Sequence, residues 1–61
     1  MQEDLRFLAK LTKIKANCSY KVMADYIGIN TTSFYNWLNG QYTLSEAKAA
    51  ELKDFLSDLV D

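Results

Sequence analysis

Thr31, Thr32, Tyr35 and Asn36 lie close together in a chain of 61 residues, and none of them carries a charge. Each offers a hydroxyl or an amide that both donates and accepts hydrogen bonds. Threonine can bond a base edge and set its methyl against a thymine methyl, and asparagine can bond adenine N6 and N7 as a pair. Chemistry of another kind has little to work with. The chain has no histidine, a single cysteine, Cys18, and no glycine-rich phosphate loop. A catalytic site needs a base beside a nucleophile, paired acids or a metal, so no enzyme, no metal site and no cofactor is expected. The four residues have a plainer reading too, as the solvated face of an amphipathic helix with a threonine at its start for capping.

The neighbours of these residues say what positions them. Phe34, Trp37 and Leu38 repeat at i, i+3 and i+4, one inward face of a helix running from Asn30 or Thr31 to Leu38. Thr31, Thr32, Tyr35 and Asn36 fall on its outer face. Asn30 offers a side-chain oxygen as an N-cap, and Gly40 ends the helix. Just upstream, Met23, Ala24 and Ile27 mark the inner face of a shorter helix over Ser19 to Ile27, with Ser19 as its cap. Gly28 then accepts the left-handed conformation that closes a helix, and Ile29 is expected to tuck between the two. The stretch reads as helix, tight turn, helix.

At Ala24, Gly28, Ile29, Phe34 and Trp37 the segment Tyr20–Gly40 resembles the helix-turn-helix of the lambda-repressor-like (Cro/repressor, XRE-type) DNA-binding family. Asn39-Gly40 is similar to the Asn-Gly that follows the family's recognition helix. One position departs: Tyr20 stands where the family often has glutamine. The resemblance implies that Thr31, Thr32, Tyr35 and Asn36 contact bases in the major groove. It also implies a phosphate contact at Asn39, which a C-cap role explains equally. A minimal domain of this type looks like a phage or mobile-element regulator, a repressor for example.

The flanks are read from pattern. Gln2 to Ala16 is an expected helix whose apolar arc is Leu5, Phe7, Leu8, Leu11 and Ile14. Arg6, Lys10 and Lys13 form a polar stripe on it at i, i+4 and i+7. Glu3 and Asp4 in its first turn, and Lys13 and Lys15 in its last, suit the helix dipole. Asn17 is expected as a left-handed cap and Cys18 as a small buried residue. Thr43-Leu44-Ser45-Glu46 fits a capping box, with Thr43 capping and Glu46 reaching back. A last helix then runs to about Leu59 with Ala49, Leu52, Phe55, Leu56 and Leu59 as its stripe. The whole is one domain, 1–61: an all-α, compact four-helix orthogonal bundle. A chain this short buries only about 60% of its unfolded surface and gains from association.

The net charge of −1 argues against a nucleic-acid partner until its distribution is considered. Arg6, Lys10, Lys13, Lys15 and Lys21 follow one another with no acid between them, residues 26–45 carry no charge, and Glu46, Glu51, Asp54, Asp58 and Asp61 face only Lys48 and Lys53. A duplex responds to the local field within a Debye length of about 8–10 Å, not to the total. Expected phosphate contacts are Arg6, Lys13, Tyr20, Lys21, Asn39, Tyr42 and Ser45. The alternative for the basic stripe is a solvated helix face.

The expected partner is double-stranded DNA, bound by a homodimer on a palindromic site. No membrane span, signal peptide or small-molecule ligand is indicated, and a cytoplasmic setting is expected. The expected dimer surface is Leu56, Leu59 and Val60, with a competing one around Phe7 and Leu11. A rival reading is a protein-interaction module, an antirepressor or phage-type inhibitor. It is favoured by the lack of Arg or Lys on the third helix, with Tyr26, Tyr35, Trp37 and Tyr42 as its contacts.

Overall fold

Two helices start where their caps predict. The Ser19 hydroxyl accepts the Val22 N–H at 3.2 Å, and the Asn30 side-chain oxygen accepts the Ser33 N–H at 2.7 Å. Each bond satisfies one of the amides that a helix start leaves without a partner. In the computed structural model, which describes residues 2–60, the order is α1 (Glu3–Lys15), α2 (Tyr20–Ile27), α3 (Thr31–Leu38) and α4 (Glu46–Val60). Asp61, counted above among the acids, lies outside the described residues. α1 packs on α4, while α2 packs on both α3 and α4. No described helix is long and apolar enough to cross a membrane.

α2 and α3 end alike. Gly28 has φ +78° and Gly40 has φ +84°. At the first, the Ile29 N–H donates to the Ala24 carbonyl and the Gly28 N–H to that of Asp25. At the second, the Gln41 N–H donates to the Asn36 carbonyl and the Gly40 N–H to that of Trp37. This crossed pair is the Schellman arrangement, which needs a left-handed residue at its centre. Asn17, with φ +54°, takes the left-handed conformation after α1 as expected.

The core is Ala9, Met23, Ala24, Ile27, Phe34, Trp37, Leu38, Leu44, Leu52 and Leu56. Phe34 and Trp37 meet at 5.3 Å between ring centroids, and both are fully buried. Removing either ring would cost about 3–5 kcal/mol. Thr12 is the one buried polar residue among those described, and its hydroxyl donates to the Leu8 carbonyl at 2.7 Å.

The wide apolar arc of α1 divides between core and surface, and other expectations are corrected. α1 turns Leu5, Leu8, Ala9 and Thr12 inward, leaving Phe7 68% and Ile14 80% exposed. A single helix buries one face, and the face with small Ala9 and Thr12 permits the closer approach. Leu56 is fully buried one turn after Leu52, so it belongs to the core and not to a dimer surface. Leu59 lies three residues on, rotated to the surface at 41% exposure, and Val60 is half-buried. α4 begins two residues later than the capping box predicts. Ser45 is its cap, accepting the Lys48 N–H at 3.2 Å, and Thr43 is not. Cys18 is half-buried, leaning on the core from outside.

Candidate nucleic-acid interface

α3 turns Phe34, Trp37 and Leu38 into the core, and this decides what its other side presents. Thr32, Tyr35 and Asn36 are exposed, and Asn39 continues their row one turn further on. Thr31 is half-buried at the helix start. Among the described residues no hydrogen bond engages the side chains of Thr32, Asn36 or Asn39. The row is a set of uncharged donors and acceptors on a helix whose backbone is fixed from behind.

Aromatic contacts tie that row to the start of α2. Tyr20 is half-buried, its ring 5.8 Å from Phe34 and edge-on to Tyr35 at 5.7 Å. Burial, with the nearby Tyr35, pushes the Tyr20 phenol above its ordinary pKa. Lys13 reaches over the outer side of the same ring, its ammonium 5.5 Å from the centroid. Lys13, Tyr20 and Tyr35 therefore form one ladder from α1 across α2 to the exposed side of α3. The ladder places an exposed cation next to the uncharged row.

The other expected phosphate ligands divide. Lys21 is exposed and pairs with Asp25 at 3.0 Å, the i, i+4 pair expected from sequence. Such exposed pairs contribute little, so Lys21 can exchange Asp25 for another anion. Tyr42 and Ser45 are exposed, though the Ser45 oxygen already accepts the α4 cap bond. Arg6 is a correction. Its Nε donates to the Trp37 carbonyl, a second nitrogen donates to the Tyr42 carbonyl at 3.2 Å, and its guanidinium carbon lies 5.4 Å from the Trp37 ring centroid. The carbonyl end of α3 is negative and needs donors, and Arg6 is the cation within reach. It holds the end of α3, with two of its five N–H donors given to backbone carbonyls.

Two further positioning residues have no signal of that role in the sequence. Gln2 accepts the Trp37 indole N–H at 2.7 Å and the Leu44 N–H at 3.1 Å, and donates to the Leu44 carbonyl at 3.0 Å. A buried tryptophan needs an acceptor, so the need was visible in the sequence, but the supplier was not. Lys48 donates to the Ile27 carbonyl at 2.6 Å, closing α2 as Arg6 closes α3. In the sequence its charge stands only among the acids of α4.

The arrangement can recognise a ligand through hydrogen bonds from α3, with cations at one side. No family model matches the chain, and neither a curated protein nor a solved structure matches it.

Proposed function

We propose that this chain is a sequence-specific regulator that binds double-stranded DNA, with α3 in the major groove, as a homodimer on a near-palindromic site in the cytoplasm. The observation that carries this reading is the exposed row of Thr32, Tyr35, Asn36 and Asn39, on a helix anchored at its far end by Arg6 and Gln2. Thr31, half-buried at the helix start, is assigned a base contact with them. Tyr20, Lys13, Lys21, Tyr42 and Ser45 remain candidates for backbone contacts, because helix starts and nearby cations suit phosphates. The acidic side of α4 is assigned to the side away from the duplex.

The test is selection of bound duplexes from a random pool, followed by titration of variants. Asn36→Ala and Thr32→Ala should each lower the preference for the selected site by about 1–3 kcal/mol while helicity persists. Lys13→Gln should weaken all duplexes alike and flatten the slope of log K against log salt by roughly 0.9. Equal losses on selected and random duplexes in the first pair would remove these residues as base readers.

A second reading, a protein-interaction module, is favoured by two observations. α3 has no cation, and Arg6 is turned inward. Its contacts would be the exposed Tyr26, Tyr35 and Tyr42; Trp37 drops out because it is fully buried. Recovery of no preferred duplex from the pool would select this reading.

A further inference from the structure

Phe7, Leu11 and Ile14 repeat at i, i+4 and i+7 on the side of α1 turned away from the core. Phe7 and Ile14 are 68% and 80% exposed, the two most exposed large apolar side chains among the described residues, and Leu11 between them is half-buried. This is the spacing of a two-helix seam, apolar residues four and three apart. A folded domain of this size gains by covering such a stripe.

Charge says what covers it. α1 is acidic in its first turn, Glu3 and Asp4, and basic in its last, Lys13 and Lys15. A second α1 lying antiparallel sets the acidic end of each copy beside the basic end of the other. A parallel copy sets like charges together. The flanks agree with the antiparallel choice. One flank of the stripe carries Arg6, Lys10 and Lys13, and leads to α3 and Tyr20 through the bonds of Arg6 and the contact of Lys13. The other carries Leu8, which lines a groove against Ala49 and Lys53 of α4. A two-fold axis normal to an antiparallel pair keeps the same flank of both helices on the same side. Both Lys10–Lys13 flanks then form one surface, and both α3 helices lie towards it.

We propose that the chain dimerises through α1, by antiparallel packing of Phe7, Leu11 and Ile14 against the same residues of a second copy. This rests on the reading above only in assigning the shared basic side to DNA; the self-association is a property of the free protein. The contact is small against the 1,200–2,000 Å² of a standard interface, so the dimer is weak and forms at high concentration.

Sedimentation equilibrium of the full chain up to about 1 mM should show monomer and dimer. Phe7→Asp and Ile14→Asp should each raise the dissociation constant at least about tenfold with helicity unchanged, and Leu59→Asp by less than about twofold. Lys15→Asp should weaken the dimer, and adding Asp4→Lys to it should recover most of the loss. Leu11→Cys in a Cys18→Ser background places a thiol near the two-fold axis and should form a disulfide-linked dimer. Cys18 of the unaltered chain should not, since it lies beyond the end of α1, away from the axis.

A chain that stays monomeric throughout, a dimer broken by Leu59→Asp but not by Ile14→Asp, or Cys18 cross-linking as fast as Cys at position 11 would each overturn the proposal. The DNA reading is separated by a half-site. Ile14→Asp should bind a half-site as the unaltered chain does, and lose affinity for a full site. Loss of half-site binding with the dimer intact would count against the DNA reading and leave the surface standing.

Discussion

The ends of α2 and α3 are closed by the same backbone device and held by different side chains. Both finish in a Schellman turn around a left-handed glycine, Gly28 or Gly40. At α2 the outside help is one ammonium, Lys48, on one carbonyl, Ile27. At α3 it is a planar guanidinium and an amide. Arg6 spans the Trp37 and Tyr42 carbonyls and lies against the Trp37 ring, and Gln2 takes the Trp37 indole N–H while pairing with both backbone groups of Leu44. A point charge on a flexible stem tolerates movement of its acceptor, whereas a fork and a ring contact do not. The helix that carries the exposed hydrogen-bonding row is thus held in orientation as well as place. A second consequence follows for counting charge. Arg6 and Lys48 are cations whose donors face the backbone, so the surface charge available to a partner is less than the sequence suggests.

The comparison can be broken most sharply at Arg6. Arg6→Met removes charge-assisted bonds from a half-buried site and should cost about 2–3 kcal/mol in urea unfolding. Arg6→Lys should recover under half of that, because an ammonium cannot span both carbonyls. Full recovery by lysine would mean that the two helix ends are held alike. Gln2→Ala should cost about 2 kcal/mol, since the buried Trp37 N–H is left without an acceptor. A shift in tryptophan fluorescence should accompany it, and a variant with unchanged stability would show that Gln2 is dispensable to α3. The smallest effect belongs to α2. Lys48→Met should cost about 1 kcal/mol, seen in hydrogen exchange as faster opening at Gly28 and Ile29 with α3 amides little changed. Equal opening in both helices would erase the distinction.

What the sequence determined by itself is local. Ser19 and Asn30 cap through bonds that span three residues, Gly28 and Gly40 sit where left-handed turns are required, and Phe34, Trp37 and Leu38 set the inner face of α3 by spacing alone. The exposed row follows as the other side of that helix, which is why most of the candidate site was legible. The capping box failed because two hydroxyls two residues apart both satisfy the local rule, and here Ser45 takes the Lys48 N–H while Leu44 bonds Gln2 through both of its backbone groups. Tertiary structure alone decided the rest. Arg6, Gln2 and Lys48 find their partners 31, 35 and 21 residues away, and no periodicity reports on a partner so distant. It also decided which apolar residues are core. Leu56 and Ile14 have the same chemistry and both sit on amphipathic helices, yet one is fully buried and the other 80% exposed. A helix pattern wider than one face leaves that choice to whichever neighbour packs closest, and here α4 took the side of α1 that carries Ala9 and Thr12.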